Sequence, residues 1–305
     1  MRLRRRWLAS WLLLATVTCA APAAAPPVPS AASSGRLPAA RLRIDFVSVG
    51  QGDAALVTGP TGKRVMIDGG PREAGPTLTA LLRAQRVAGI DLVLLTHRHE
   101  DHLGGLAEVV RAVPVRLFMD APFPHASAVY EQLLETLQER HVMVLTATRG
   151  RTIDLGGGAM LTLLGPPDPP ITHSRSDVNA NSVVARLDYG SVGVLFAGDA
   201  EPQTERWLLG AEAQLSAQIL KVAHHGGRYS STAPFLSAVT PRIAVISVGE
   251  PNGYGHPTPE ALGRLARAHA RVFRTDRDGT VTVETDGARI ELTTAHGERE
   301  ILSAR

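Results

Sequence analysis

The most informative stretch of this chain is THRHEDHLGG, residues 96–105. It holds three histidines and an aspartate within six positions: His97, His99, Asp101 and His102. His97 and His99 are two residues apart, so in extended backbone their side chains point the same way and can hold one metal ion. Asp101 and His102 are adjacent where the chain bends and can reach a second ion. Imidazole and carboxylate together suit Zn²⁺, Mn²⁺ or Fe²⁺.

Further candidate ligands follow other predicted strands. The stretch LFAGDAE places Asp199 after an apolar run, and VAHHGG places His224 and His225 after another. The ends of strands hold side chains on rigid backbone at the edge of a sheet, which is a usual location for chemistry. Asp68 follows a fourth strand, in MIDGG. We interpret Asp68 as a carboxylate that orients a histidine ligand.

The hydrophobic pattern predicts alternating strands and helices from Leu42 onward. The apolar run DLVLLT, just before the histidines, is too short for a helix and is typical of a buried strand. Hairpins at both ends, with helices and strands alternating between them, predict an α+β fold of two mixed sheets covered by helices. The predicted helices lie at about 76–88, 103–113, 126–140, 201–209, 232–239 and 259–269.

Residues 1–25 predict a secretory signal peptide. Four arginines and no acidic residue precede the apolar run 7–17, and small residues follow it. We therefore expect an exported protein, periplasmic or extracellular, which is membrane-anchored if this segment is retained. The apolar run is short for a spanning helix, and no integral membrane domain is expected beyond it. Cys19, the single cysteine, lies here, so lipidation stays open as an alternative.

The rest of the chain divides into three predicted parts. Residues 26–41 are rich in Pro, Ala and Ser and predict a disordered linker. Residues 42–295 predict one folded domain, and residues 296–305 a C-terminal tail. The net charge of +3 becomes −1 once the four arginines of the N-terminal segment are subtracted. The charge of the remainder gives no support to a nucleic-acid-binding surface.

Several motifs carry a family resemblance. HRHEDH resembles the HxHxDH motif of the metallo-β-lactamase superfamily, and IDGG, AGD and HHG resemble its flanking motifs in the same order. VGQGDA, NANSVVARLDYG, LKVAHHGG, YGHP and RTDRDGT further resemble the soluble metallo-β-lactamase-like domain of ComEC-type DNA-internalisation proteins. The resemblance runs from about Leu42 to Thr293. It implies an αββα sandwich, with two mixed β-sheets packed face to face, helices outside and the site at one edge.

The resemblance also implies a dinuclear metal centre. The implied ligands are His97, His99, Asp101, His102, Asp199 and His225. The first two would bind one metal, the next two the other, and Asp199 would bridge. His224 would lie beside the metals as a proton donor or phosphate contact, and Asp101 and His224 are the candidate catalytic residues. Which of the two adjacent histidines binds stays open, with His225 preferred. The expected ion is Zn²⁺, as two ions or as one with a weak second site, and Mn²⁺ is the alternative.

One departure concerns a third histidine, which many hydrolases of the superfamily place on the first metal. Here that region reads NANS, with Asn181 near the expected place. The first metal is therefore expected to be held weakly, or to be completed by substrate. His256 in YGHPT could face the substrate or belong to a plain turn. Asp53, in the QGD turn, could cap its own hairpin or form a wall of the site, and we favour the hairpin.

The expected function is that of an exported metal-dependent hydrolase, a phosphodiesterase or nuclease related to DNA uptake or to extracellular DNA processing. Two cations that share a water and clamp an oxyanion suit phosphodiester hydrolysis. The expected partner is a phosphodiester substrate, with DNA as the candidate, and the sequence leaves protein partners open. Two alternatives stay open: a hydrolase of a choline-phosphate ester, lactone or β-lactam, and a non-catalytic accessory module of DNA uptake.

Overall fold

The computed structural model describes residues 41–304 of the chain. The predicted signal peptide and all of the predicted linker except Arg41 lie outside the described residues. Within 41–304, no helix has the length and apolar character needed to cross a membrane.

Sixteen strands in the described part of the chain form two sheets. The first sheet has the strand order β16-β15-β14-β1-β2-β3-β4-β5-β6. Its strands are β1 Leu42–Phe46, β2 Ala55–Thr58, β3 Arg64–Ile67, β4 Ile90–Leu95, β5 Val115–Asp120, β6 Met143–Thr146, β14 Val281–Thr285, β15 Arg289–Thr294 and β16 Arg299–Ser303. The second sheet has the order β13-β12-β11-β10-β9-β8-β7. Its strands are β7 Thr152–Gly156, β8 Ala159–Leu163, β9 Ala185–Tyr189, β10 Val192–Phe196, β11 Ile219–Lys221, β12 Ile243–Ile246 and β13 Arg271–Arg274.

Helices cover the outer faces of both sheets. The helices are α1 Gly75–Ala84, α2 Glu100–Leu103, α3 Leu106–Ala112, α4 Ala128–Glu139, α5 Asp177–Ala180, α6 Pro202–Gly210, α7 Ala233–Val239, α8 Pro259–Arg267 and α9 Thr275–Asp278. Two 3₁₀ turns lie at Arg72–Ala74 and Ala223–Gly226. One apolar cluster packs α1, α3 and α4 on the first sheet, and another packs α6, α7 and α8 on the second.

The inner faces of the two sheets share one apolar core. The rings of Phe46 and Phe196, one from each sheet, lie 5.9 Å apart between their centroids. Burial of this continuous apolar surface is the main stabilising term of such a sandwich. The four layers confirm the predicted αββα sandwich and its α+β class.

The parallel strands of each sheet end at the edge that carries the predicted site. In the first sheet β3, β4 and β5 run parallel, and in the second β10, β11 and β12 do so. The carboxyl ends of neighbouring parallel strands meet at one edge of a sheet. A backbone hydrogen bond of 2.9 Å from Val183 N–H to Thr96 O connects the two sheets there.

Two predictions about local structure differ from the structure in their bounds. The helix predicted at 103–113 is divided into α2 and α3, because Gly104 and Gly105 pack against backbone. A Cβ on Gly104 would lie 2.3 Å from the Arg72 nitrogen, and one on Gly105 would lie 2.4 Å from the Gly69 oxygen. The predicted tail at 296–305 contains β16, which pairs with β15, so the sheet extends beyond residue 295.

Candidate metal centre

The loop after β4 and the ends of β10 and β11 bring the candidate ligands together. His97 Nε2 lies 3.1 Å from His99 Nδ1 and 3.8 Å from Asp199 Oδ2. His225 Nε2 lies 3.1 Å from Asp101 Oδ2 and 3.8 Å from Asp199 Oδ2. Each sheet therefore contributes part of one polar cluster.

Four groups of three residues in this cluster have the spacing of a metal site, and two of these groups contain Asp53: Asp53 with Asp68 and His102, and Asp53 with Asp199 and His225. The two groups without Asp53 match the predicted ligands, and they consist of His97, His102 and Asp199, and of Asp101, His102 and His225. Within each group the ligand atoms lie within 4.8 Å of one another. The two groups without Asp53 share His102, and the Asp199 carboxylate reaches toward both. His99 contacts His97 but belongs to no group of three in the described residues.

Two buried atoms at the centre of the cluster face each other without forming a hydrogen bond. His102 Nε2 and Asp199 Oδ1 lie 3.3 Å apart, within ion-pair distance, and neither atom makes a hydrogen bond among the described residues. Buried polar atoms are almost always paired, and a divalent cation would satisfy both. The nitrogen and carboxylate oxygen donors present are those that Zn²⁺ and Mn²⁺ accept. The residues therefore fit the predicted metal.

Asp68 lies behind His102, as its position after β3 predicts. Its carboxylate accepts a hydrogen bond of 2.8 Å from His102 Nδ1. It also accepts bonds of 2.7 Å from the backbone N–H and from the hydroxyl of Thr96. These contacts fix the tautomer of His102 and turn its Nε2 toward the centre of the cluster.

His225 is held on its buried side by a backbone carbonyl and by the carboxylate of Asp53. Its Nδ1 lies 3.0 Å from the Ser247 carbonyl oxygen and 3.1 Å from Asp53 Oδ1. Asp53 forms an ion pair with Lys221, whose side chain is also buried. The Asp53 carboxylate therefore supports a candidate ligand from behind, and the preferred hairpin-cap interpretation is wrong. The QGD turn packs on the histidine loop, because Asp53 N–H donates to the Asp101 oxygen at 3.0 Å.

Asn181 does not lie where the sequence analysis expected it. Its amide exchanges two hydrogen bonds with the backbone of Ile171, at 2.9 and 2.7 Å, and donates a third, of 2.7 Å, to the Asp177 oxygen. It therefore supports a loop and contacts no candidate ligand. The short helix α5 instead turns Asn179 toward the cleft, with Nδ2 3.4 Å from His224 Nε2. The Oδ1 atom of Asn179 is buried without a partner among the described residues.

The adjacent histidines after β11 have different surroundings. His225 is buried among carboxylates, whereas the side chain of His224 is 29% exposed and faces the cleft. His224 Nδ1 lies 3.3 Å from Glu201 Oε1, and Nε2 lies 3.8 Å from Asp199 Oδ2. Both histidines have positive φ, 51° and 52°, a backbone strain that is characteristic of functional sites.

The histidine loop has its own support on the side away from the cluster. Arg98, between two candidate ligands, donates to Asp120 Oδ2 at 2.9 Å. Its guanidinium lies 4.2 Å above the ring centroid of Tyr130, whose hydroxyl donates to Asp120 at 2.6 Å. On the open side, the His125 ring meets the His99 ring edge to face at 5.3 Å. No periodic pattern in the sequence predicts these contacts.

In the absence of a cation, the histidines and carboxylates of the cluster shift one another's pKa values. Burial penalises the imidazolium of His102, but Asp199 and Asp68 outweigh that penalty and raise its pKa well above the usual value. Burial likewise opposes the charged form of Asp199, yet His102 and His225 hold the pKa of Asp199 well below its usual value. Burial and the neighbouring His102 lower the pKa of His97 well below normal. The carboxylates therefore create a negative electrostatic potential in the cluster, and this potential attracts cations.

A cleft of about 670 Å³ opens above the cluster. Its walls include Gln51, Glu73, Asn179, His224, Tyr254 and His256. His256, a predicted substrate contact, lies on this wall with its ring 5.5 Å from that of His224. Burial and the charges of His225 and His224 lower the pKa of His256 to about 4, so its ring is neutral at neutral pH.

The family is shown by the sequence itself. A family model described as the metallo-beta-lactamase superfamily matches residues 47–250. The chain belongs to the metallo-beta-lactamase superfamily. This membership confirms the predicted fold, and the described His/Asp cluster lies where the motifs of the superfamily placed it.

Curated relatives and solved structures agree with this assignment. ComE operon protein 3 of Bacillus subtilis is 28% identical over 78% of this chain and 32% of its own length. Competence protein ComA of Neisseria gonorrhoeae is 30% identical over 76% of this chain and 30% of its own length. The chain thus spans about a third of the length of these relatives, which confirm the predicted ComEC-type resemblance. The metallo-beta-lactamase fold protein YhfI of Bacillus subtilis shares the fold, at 14% identity and a TM-score of 0.53 over 80% of this chain and all of that one.

Proposed function

We propose that this protein is a metal-dependent phosphodiesterase that cleaves nucleic acid. The position of Asp199 carries the proposal. Its carboxylate lies 3.3 Å from His102 and 3.8 Å from both His97 and His225, so it reaches both candidate ligand groups. A site for two ions that share one carboxylate suits phosphodiester hydrolysis, because the attacking and leaving oxygens each need a positive partner.

The side chains around the cluster have distinct roles in this proposal. Two divalent ions, when bound, would lower the pKa of a water molecule and neutralise charge on the phosphate. Asp68 and Ser247 keep the rings of His102 and His225 oriented. Asp101, whose pKa His102 and His225 lower against the effect of burial, stays ionised beside them. The ligand geometry is therefore set before substrate arrives.

His224 is the proposed proton donor. Burial disfavours its charged form, but Asp199 and Glu201 outweigh this effect and raise its pKa. Glu201 holds Nδ1, which leaves a proton on Nε2 pointing toward the cleft. From there it can protonate the leaving oxygen. The amide nitrogen of Asn179 lies 3.4 Å from the same Nε2, at the side of the cleft that His224 faces.

We also propose where the protein acts and on what. The N-terminal composition supports export, and the similarity to competence proteins supports DNA as the substrate, in uptake or in extracellular processing. Zn²⁺ is the proposed ion, with Mn²⁺ as the alternative. A purely structural role is disfavoured, because the closely spaced and fully buried side chains of His97, His102 and Asp199 would be costly to bury without a ligand.

The test uses the full-length chain and five substrates. Bound metal is measured by elemental analysis. Hydrolysis is then measured with bis(p-nitrophenyl) phosphate, single-stranded DNA, double-stranded DNA, a lactone and nitrocefin. The variants His99→Ala and Asp199→Ala each remove one candidate ligand. His173→Ala is the matched control, because His173 is exposed and lies outside every candidate ligand group of the described residues.

The proposal expects phosphodiester and DNA cleavage in the wild type and in His173→Ala. It expects loss of at least about 100-fold in Asp199→Ala, the scale of removing one group that stabilises a transition state. Turnover of nitrocefin or the lactone alone would assign the protein to another class of hydrolase. Full metal occupancy with no turnover of any substrate would leave only a binding role.

A further inference from the structure

Three aromatic rings form a line from the metal centre to the mouth of the cleft. The ring of His224 meets the ring of His256 edge to face, with centroids 5.5 Å apart and planes at 81°. His256 in turn stacks on Tyr254, with centroids 5.8 Å apart and planes at 27°. Tyr254 is 71% exposed, the highest value of any large hydrophobic side chain in residues 41–304. One ring of this line is therefore available to a ligand.

The loop that carries Tyr254 is braced. The Asn252 side chain donates to the Gly249 oxygen at 2.7 Å and to the His256 oxygen at 2.9 Å. Its own oxygen accepts from His256 N–H at 3.0 Å. These bonds fix the turn between β12 and α8 and keep Tyr254 beside the cleft. An aromatic ring that is exposed on a braced loop loses little freedom when it binds a ligand.

Positive charge lies at a neighbouring part of the rim. The guanidinium of Arg175 lies 3.7 Å above the ring centroid of Tyr229, which is 49% exposed. Arg175 directly precedes Ser176, which lines the cleft. Within residues 41–304, Arg175 forms no ion pair, so its charge is not neutralised by a carboxylate. Exposed aromatic rings together with unneutralised arginine are the usual components of a surface that binds single strands.

We propose that Tyr254 stacks on a nucleobase adjacent to the scissile phosphate, so that the cleft takes a single strand. This inference rests on the proposed function. A base inside a duplex is covered on both faces by its neighbours, whereas an unpaired base can offer one face to Tyr254 while its phosphate reaches the cluster. Arg175 contacts a phosphate of the same strand. Tyr254 thus makes the cleft select single-stranded over double-stranded nucleic acid.

The test measures binding separately from turnover. Full-length protein is treated with a chelator, and the anisotropy of fluorescein-labelled ligands is followed. The ligands are a single-stranded oligonucleotide, the matching duplex, and an abasic strand with the same number of phosphates. The variants are Tyr254→Ala and Tyr254→Phe, which keeps the ring. Met143→Ala is the control, since Met143 is 60% exposed on the edge strand β6 and is absent from the cleft walls.

We expect Tyr254→Ala to weaken binding of the single strand by roughly 10-fold or more, the scale of one lost base stack. Tyr254→Phe and Met143→Ala should bind it as the wild type does, and the abasic strand should not distinguish the variants. Equal binding by wild type and Tyr254→Ala, equal loss with the abasic strand, or tighter binding of the duplex would each overturn the inference.

Hydrolysis by the metal-loaded wild type separates this inference from the proposed function. Cleavage of DNA together with Tyr254-independent binding would overturn the inference and leave the phosphodiesterase standing. Tyr254-dependent binding without cleavage of any phosphodiester would support the stacking role and overturn the phosphodiesterase.

Discussion

The ammonium group of Lys221 pairs with the carboxylate of Asp53 in the interior, and the same carboxylate contacts His225 Nδ1 at 3.1 Å. Both side chains of the ion pair are at most 7% exposed. Burial raises the pKa of Asp53, but Lys221 and His225 outweigh this effect and lower it. The Asp53 carboxylate orients the ring of His225 in the metal cluster. Lys221 neutralises the negative charge that this carboxylate would otherwise add to the buried cluster.

Removal of Lys221 should destabilise the protein more than removal of both partners. Lys221→Met leaves the buried Asp53 carboxylate with only the His225 ring to balance its charge. We expect this variant to lose about 3–5 kcal/mol of unfolding free energy. The double variant Lys221→Met/Asp53→Asn should recover part of this loss, because no uncompensated charge remains. Urea denaturation of the chelated proteins measures the difference. A double variant no more stable than Lys221→Met would show that the pair does not act as a unit.

Metal uptake should release protons and strengthen as pH rises. Burial opposes a charged His225, yet Asp199 and Asp53 raise its pKa to about 10, so at pH 7.5 the metal-free ring carries an additional proton. A ring nitrogen must lose that proton before it binds a cation. Calorimetric zinc titrations in two buffers of different ionisation enthalpy should show at least one proton released per protein. The affinity should rise about 10-fold per pH unit for each proton displaced. Zinc affinity that is unchanged between pH 6 and 9 would contradict the charge distribution described above.

Substitution of the two asparagines of NANS should affect different properties, namely stability at Asn181 and activity at Asn179. Asn181→Ala removes three hydrogen bonds and leaves Ile171 backbone groups unpaired, so we expect a loss of about 2–3 kcal/mol in unfolding free energy. Asn179→Ala removes only a contact of 3.4 Å to His224 and should leave stability within about 1 kcal/mol of the wild type. Its expected effect is a lower kcat on phosphodiesters. Denaturation and steady-state kinetics on both variants test this division. The reverse pattern would show that Asn181, and not Asn179, acts in the active site.

Glu205 should make the protein less stable as pH rises from about 4.5 to 7. Its carboxylate, on α6, accepts from the backbone N–H groups of Ser231 at 2.5 Å and Thr232 at 2.9 Å. Burial raises its pKa to about 7, from 4.5 in an exposed carboxyl. Between these values the folded state keeps a proton that the unfolded state has lost, so stability declines as pH increases through this window. The total change is about 3 kcal/mol.

The variant Glu205→Gln isolates this contribution. It cannot titrate, so the difference in unfolding free energy between variant and wild type should change across pH 4.5 to 7 and be constant above pH 8. Other titrating groups are common to both proteins and cancel in the difference. Two stability curves that stay parallel from pH 4.5 to 8 would exclude Glu205 as the cause.

The sequence predicted the layers of the fold and most of the cluster, because both depend on local signals. HRHEDH, AGD and HHG each follow an apolar strand, and the parallel strands deliver them to one edge. Glycine at 104 and 105 marked a turn, but its effect on the helix depended on close packing against Gly69 and Arg72 that no local pattern shows.

The supporting residues could not be predicted in the same way. Lys221 stands in an apolar strand, and its partner Asp53 is 168 positions earlier, so neither residue shows the pairing by itself. The sequence alone suggests that Arg98 is an ordinary surface residue, because its contacts with Asp120 and Tyr130 exist only in the folded structure. The choice between Asn179 and Asn181 depends on the direction of a four-residue helix, which short-range propensity does not fix.

The strand order has a consequence for biosynthesis. β1 pairs with β2 on one side and with β14 on the other, in the register Leu42 to Thr285. A nascent chain that has left the ribosome as far as His256 already carries every candidate ligand, but β1, an inner strand of the first sheet, still has an open edge. Native structure is therefore completed only when the last strands emerge, so translation that stalls earlier would yield an aggregation-prone intermediate.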